Sequence, residues 1–354
     1  MFWPDTINKR FNIKYPVIQA PMFGVSTPQM TAAAAKAGAL GSLALADLSP
    51  EKSIELIRET KKLTDQPFAA NIFVHNIPEI TDSLKERFIK AKQFITQLAK
   101  ENNIEVTLPD LEDIKVKSYH EQVDAIIGEG CKILSFTFGN LDDQSIQKLK
   151  ENGVVLIGTC TSLEEALILE KSGIDMICVQ GIEAGGHRGT FDAEHIPMIG
   201  GMSLFSEVYD HVKVPLIYAG GIYNGKTLRA ARELGAQGFQ VGSVLLASEE
   251  SSLQPFEKER LKNAIEKDII LTRSFSGRYA RGIKNKFIET LENSDYIMPY
   301  PYQNKLTNEL RRVSKTLHNS DFVGIWAGQS IHNYSGLSTE EILKNLTEAA
   351  EKEF

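Results

Sequence analysis

Ile133-Leu134-Ser135-Phe136-Thr137-Phe138, Val154-Val155-Leu156-Ile157-Gly158 and Met176-Ile177-Cys178-Val179-Gln180 are three short apolar runs at nearly even spacing. A polar, helix-forming segment from Asp142 to Asn152 separates the first two and stops at Gly153. A second runs to Lys171 and stops at Gly173. Thr161 or Ser162 caps it, with Glu164 and Glu165 well placed in its first turn. The apolar runs show no alternation, as expected of parallel strands covered on both faces. Strand, helix and strand in this rhythm are the unit of α/β folds.

The rhythm extends both ways. Upstream, Val17-Ile18-Gln19-Ala20, Ala39 to Leu45 and Phe68-Ala69-Ala70-Asn71-Ile72-Phe73 read as strands. Helices from Pro28 to Ala37 and from Ser49-Pro50-Glu51 onward lie between them. Downstream, Val214 to Ala219 is a seventh strand and Gly238 to Val241 an eighth. Gly242-Ser243 breaks the eighth before it resumes over Val244 to Ala247. Helices over Leu204 to His211 and Lys226 to Leu234 complete the alternation. Eight strands with helices between them predict a closed (β/α)8 TIM barrel rather than an open doubly wound sheet.

Two parts exceed a simple barrel. Between the third and fourth strands lie a charged helix over Ile80 to Asn102, an irregular stretch and a helix from Tyr119 to Glu129. That is more chain than a crossover needs, so residues 76–130 read as an insertion. After Ser248, polar helices over Ser251 to Lys267, Asn304 to Leu317 and Glu340 to Lys352 replace the alternation. Residues 1–250 are therefore expected to form the barrel. Residues 251–354 form a mainly helical region that packs with the insertion over the barrel mouth.

Composition narrows the function classes. The chain has 354 residues and a formal net charge of −7. Nucleic-acid binding is disfavoured, because neutralising phosphates needs a basic surface. No apolar run approaches the roughly 20 residues of a membrane span. Met1 to Arg10 carries Asp5 and lacks the apolar core of a secretory signal, so a cytoplasmic location is expected. Cys131, Cys160 and Cys178 have no paired spacing and read as buried filler, not disulfides or metal ligands.

The chemistry-bearing residues collect at the carboxyl ends of the strands, where barrels place their sites. Strand six runs into Gly181-Ile182-Glu183-Ala184-Gly185-Gly186-His187-Arg188-Gly189-Thr190. Its glycines admit close approach of backbone to a ligand, and His187 can exchange a proton near neutral pH. Glu183 and Arg188 read as solvated loop charges. The remaining histidines, His75, His120, His195, His211, His318 and His332, lack such a context, and none pairs at a metal-ligand spacing. Gly220 and Gly221 end strand seven, and Gln240-Val241-Gly242-Ser243 ends strand eight. Their N–H groups and the Ser243 hydroxyl form an anion nest suited to phosphate. Amides at Gln19, Asn71 and Gln180 suit the alternating polar edge of a flavin, so FMN is the expected cofactor. No lysine stands at a strand end to form the imine that pyridoxal phosphate needs.

These motifs resemble the class I nitronate monooxygenases, once called 2-nitropropane dioxygenases. The resemblance rests on Tyr15 to Met22, the Gly181 to Gly189 loop, Ala219-Gly220-Gly221-Ile222 and Gly235 to Ser243. Ser276-Gly277-Arg278-Tyr279-Ala280-Arg281-Gly282, Tyr300-Pro301-Tyr302-Gln303-Asn304 and Trp326-Ala327-Gly328-Gln329 extend it over nearly the whole chain. It implies FMN-dependent oxidation of alkyl nitronates with O2 to a carbonyl compound and nitrite, by single-electron transfer to flavin. Propionate 3-nitronate is the substrate it implies. His187 maps onto the catalytic histidine. Met22, Asn71, Gln180, Gly185, Gly221 and Gln240 to Ser243 map onto the cofactor contacts. A monomer or homodimer is expected, with no metal. Tyr218, where alanine is usual, and Ser243, where threonine is common, depart from the pattern. Tyr279, Tyr300 and Lys305 are candidate lid residues. Two alternatives remain open: an FMN-dependent enoyl-acyl-carrier-protein reductase using NAD(P)H, and a non-catalytic FMN-binding protein.

Overall fold

The structure is a computed structural model and describes residues 2–331 and 334–352. His332, set aside above, lies outside them. The chain runs through helix α1 (Asp5–Phe11), β1 (Val17–Gln19), α2 (Pro28–Lys36), β2 (Gly41–Ala46), α3 (Pro50–Leu63), β3 (Phe68–Phe73), α4 (Asp82–Glu101) and α5 (His120–Gly128). It continues with β4 (Ile133–Thr137), α6 (Asp143–Glu151), β5 (Val155–Cys160), α7 (Leu163–Lys171), β6 (Met176–Gln180), β7 (Gly186–His187), α8 (Gly201–His211), β8 (Leu216–Ala219) and α9 (Gly225–Glu233). The last part holds β9 (Gly238–Val241), α10 (Pro255–Lys262), β10 (Ile269–Thr272), β11 (Ala280–Ile283), α11 (Lys286–Leu291), α12 (Tyr302–Thr316) and α13 (Thr339–Glu351).

Eight strands pair in the order β1-β9-β8-β6-β5-β4-β3-β2, every pairing parallel. The ring closes where Ile18 bridges Leu40, with Gln19 N–H donating to Leu40 O at 2.9 Å and Leu40 N–H donating to Val17 O at 2.9 Å. This is the (β/α)8 barrel. The caps fall where the sequence placed them: Ser49 accepts from Lys52 N and Ser162 accepts from Glu165 N.

Two apolar layers hold the barrel. Inside the ring, Ile18, Ala69, Ile133, Ile157, Met176 and Ile217 pack on one another. Ile7 and Phe11 of α1 join this cluster, so α1 plugs the amino-terminal end of the barrel. The sequence reading had no element there, because a seven-residue helix is too short to show a period. Outside the ring, Leu134, Phe136 and Leu156 pack on helix residues such as Leu169, Phe205 and Val208. All three cysteines are buried and free.

Strand eight does not resume after its break. Gly242 turns out of the extended region (φ −126°, ψ −71°), and Ser243–Leu245 forms one 3-10 turn. Outside the barrel, β10, β11 and β7 form a three-stranded antiparallel sheet. His187 pairs with Ala280 and Gly186 with Arg281. The loop after β6 is thereby fixed by a segment far downstream in the chain. In the insertion, Leu84, Phe88, Ile95 and Leu98 on one face of α4 join Phe275, Phe287, Leu306 and Phe322 in a separate apolar cluster. Helix α13 instead returns to the outer wall, where it packs on α9 and α2. Gly225 makes that contact close: a Cβ there would lie 2.5 Å from Ala349 O.

Candidate active site

The carboxyl ends of the strands open into a cavity of about 440 Å³, within the range of small-ligand pockets. His187, Met22, Asn71, Gln180 and Gly185 line it. So do Gly220, Gly221, Gln240, Gly242 and Ser243. The site residues expected from separate strand ends are thus brought together, except for Val241. Strand alternation turns its side chain into the outer core, and it does not line the cavity. Gln19 is also corrected: its amide is buried, accepts from Ser42 N at 2.8 Å, donates to Ser26 Oγ at 2.9 Å, and does not reach the cavity.

Gln180 lines the cavity but also shapes it. Its Nε2 donates to His187 O at 3.1 Å, and its Oε1 accepts from Gly189 N at 2.9 Å. Asn71 is aligned by donating to Ser135 Oγ at 2.9 Å. Gly220 and Gly221 hold φ of +121° and +67°, a turn open only to glycine without strain. Ser243 Oγ accepts from Gly328 N at 2.9 Å, so its own proton is free to donate to a ligand.

His187 stands among Phe73, Phe138 and Trp326, with ring centroids at 6.5, 5.7 and 5.4 Å. Its Nε2 lies 2.8 Å from Ser276 Oγ. That hydroxyl donates to Arg278 O at 3.0 Å, so it accepts from Nε2–H. The remaining nitrogen, Nδ1, is then the basic atom. Burial pulls the imidazole down to about 3, and the Arg278 and Arg311 guanidinium groups push the same way. The site therefore holds a neutral imidazole in a positive field.

Arg188 and Glu183 are not loose loop charges: one is buried, and the other is half-buried at the cavity edge. Arg188 is 1% exposed and donates to Gly181 O at 2.6 Å and Gln180 O at 2.9 Å. Glu183 accepts from Gly201 N at 2.9 Å and from Tyr218 Oη at 3.2 Å, beside the Gly220-Gly221 turn. Both brace the loop that carries His187.

Comparison with known proteins gives the family and matches the fold. The family model described as nitronate monooxygenase matches residues 5–349. The chain belongs to the nitronate monooxygenase family. A curated Bacillus subtilis protein named "Probable nitronate monooxygenase" is 37% identical over 342 residues, covering 96% of each chain. The crystal structure of a nitroalkane oxidase from Streptomyces ansochromogenes superposes with TM-score 0.86 at 30% identity, covering 96% of each chain. FabK from Thermotoga maritima has a similar structure, with TM-score 0.73 at 25% identity, covering 98% of this chain and 95% of that one.

Within the nitronate monooxygenase frame, the Tyr218 side chain lies in the outer core and does not line the cavity. Its ring packs on Phe205 at 5.4 Å, behind the strand, and its hydroxyl serves Glu183. Of the lid candidates, Tyr300 lines the cavity. Lys305 pairs with Asp47 at 2.7 Å, and Tyr279 lies under Arg273, 5.2 Å from its ring centroid. Sequence reasoning missed Phe138, Trp326 and the α12 side chains Asn304 and Arg311, which also line the site. The helix register was the available signal: residues 304, 308, 311, 312 and 315 share one face.

A half-buried histidine near the site, with both ring nitrogens covered, makes stability depend on pH. Neither ring nitrogen of His75 makes a hydrogen bond. Burial is the main cause that pulls it down to about 4. An unfolded histidine titrates near 6.5, so below that pH the unfolded chain binds more protons than the folded one. The stability tied to neutral His75 is complete above about pH 6.5 and is lost as pH falls towards about 4. His75→Leu is expected to lose less melting temperature between pH 7.5 and 5 than the parent. A loss as large as the parent's would show that His75 does not drive the acid sensitivity.

Proposed function

We propose that the protein is an FMN-dependent nitronate monooxygenase that oxidises alkyl nitronates, with propionate 3-nitronate as a substrate, using O2 to give a carbonyl compound and nitrite. The observation that carries this reading is the neutral His187, fixed by Ser276 and facing the cavity that also meets the glycine turns. FMN fits the residues present. The turns at Gly220, Gly221 and Gly242 offer N–H groups to a phosphate, and the Ser243 hydroxyl has a proton to give. When bound, the flavin supplies the one-electron chemistry by which a nitronate is oxidised.

The chain's own residues do the rest. Arg278 and Arg311 favour an anion at His187. Phe73, Phe138 and Trp326 screen the imidazole from water. When a neutral nitroalkane enters, His187 Nδ1 takes the proton from its α-carbon. A preformed nitronate needs no such step.

The deciding experiment mixes purified protein with propionate 3-nitronate without oxygen and follows the flavin absorption. Loss of the oxidised-flavin band on nitronate, followed by nitrite release when O2 is admitted, is expected. Bleaching by NADH with none by nitronate would point to the reductase reading. A protein that takes up no FMN would end the proposal.

Ser276→Ala tests how the base is held. Removing this acceptor frees the imidazole to change tautomer. The kcat/KM for a neutral nitroalkane is expected to fall roughly 2- to 10-fold, the worth of one hydrogen bond. Turnover of the preformed nitronate should be unchanged. Ser276→Thr should restore the loss. Equal losses on both substrates would argue that Ser276 acts on the fold instead.

A further inference from the structure

Helix α12 presents Asn304, Asn308, Arg311, Arg312 and Lys315 to the cavity along one face. Leu306, Leu310 and Ser314 are buried away from it. Two of the three cations on this face are already balanced. Lys315 Nζ lies 3.1 Å from Glu257 Oε1, and Arg312 Nη2 lies 2.6 Å from Glu309 Oε1. Arg311 has no carboxylate at ion-pair distance among the described residues. Asp47, the acid that acts on it at longer range, is engaged by Lys305 at 2.7 Å. Among the described residues, the only acceptors of Arg311 belong to Asn304, whose O and Oδ1 accept from Nη2 at 2.9 and 2.8 Å. Its Nε is buried without any partner.

Burial lowers the guanidinium only to about 10, so it keeps its charge at neutral pH. A half-buried cation with its Nε covered, two neutral acceptors and no counter-charge is an incomplete arrangement. A carboxylate completes it well, because guanidinium and carboxylate match in shape and charge. Arg311 also comes from a different element than His187, which is held by β7 and Ser276. Both residues line the same cavity and Arg311 acts electrostatically on His187, so one ligand in that cavity can meet both.

We propose that Arg311 anchors a carboxylate carried on the substrate away from the nitronate carbon, and so sets a preference for carboxylated over plain alkyl nitronates. This inference rests on the proposed function for its reacting group, and it assigns the discrimination to one residue. Asn304 is a positioning residue, because it holds Arg311 through Nη2.

The test compares propionate 3-nitronate with propyl-1-nitronate in the holoenzyme and in Arg311→Met and Arg311→Lys. In Arg311→Met, KM for the carboxylated nitronate is expected to rise roughly 10- to 100-fold with kcat little changed, as for a lost charged hydrogen bond. KM for propyl-1-nitronate should rise far less, because it loses only the longer-range field of Arg311 at His187, and Arg311→Lys should recover part of the loss. A second readout needs no turnover: calorimetric titration with succinate, a non-reacting dicarboxylate, should show binding to the parent and none to Arg311→Met. FMN content and melting temperature, unchanged in the variants, guard against misfolding. Equal KM increases for both nitronates would show that Arg311 binds the nitronate group or the fold, and would overturn the proposal. Equal kcat/KM of the parent for both nitronates would overturn it as well. If the parent oxidises neither nitronate, the proposed function fails, while the succinate titration still decides whether Arg311 is an anion anchor.

Discussion

His187→Asn is expected to retain its flavin and its fold, yet lose roughly 10²–10⁴-fold in turnover of a neutral nitroalkane, the usual worth of a positioned general base. Asparagine keeps a donor that can reach Ser276 Oγ, which the imidazole now meets at 2.8 Å. What disappears is Nδ1, the basic atom. The parent imidazole is kept neutral by burial and by two guanidinium groups, so its Nδ1 lone pair is unprotonated throughout the neutral range. A preformed nitronate has already lost that proton and should suffer far less. Stopped-flow measurement of both substrates on one preparation separates the cases. Equal losses for the two would remove the base role from His187 and leave it a positioning role.

Gly185→Ala is expected to have the second large effect, on the cofactor. A Cβ at this position would lie 2.6 Å from Ala327 C, 3.0 Å from Ser243 Oγ and closer still to Gly328 N. Backbone cannot yield as a flexible side chain can, so the loop or the Trp326-Ala327-Gly328 segment must move. Overpacking of this kind costs about 1–3 kcal/mol, or a factor of roughly 5 to 150 in an equilibrium constant. The strain falls on the bond between Ser243 Oγ and Gly328 N. The variant should therefore leave gel filtration with much less FMN per chain than the parent and bind added FMN more weakly. Full retention of flavin would mean that this contact is not part of the cofactor cradle.

The barrel was legible because each strand announces itself locally. A both-face apolar run between a glycine stop and a helix cap needs no knowledge of its neighbours. Most of the residues that line the cavity were legible for the same reason, since barrel geometry sends every strand end to one place. Failures came where meaning depends on distant partners. Gly186 and His187 form a strand only because Ala280 and Arg281 lie beside them. Arg188 looks like a loop charge until the backbone carbonyls of Gln180 and Gly181 enclose it. Gln19 carries the same amide as Gln180, and the fold uses it to bind Ser42 rather than to face the cavity. The polar stripe on α12 reads as a solvent face, because a sequence does not tell a polar cavity wall from an outer surface.

The position of α13 bears on how the protein can be made. The outer ring of the barrel is completed by this late helix, lying between α9 and α2. The strand that carries His187 is likewise paired by β11, far beyond the last barrel strand. A ribosome that has released residues 1–250 has therefore delivered every barrel strand, but neither the helix that covers that stretch of wall nor the partner that aligns the base. Assembly of the catalytic geometry must wait until β11 has emerged, and closure of the wall until α13 has. The point at which the barrel strands run out is thus a poor place to cut this chain, because an exposed apolar wall would accompany an unaligned imidazole.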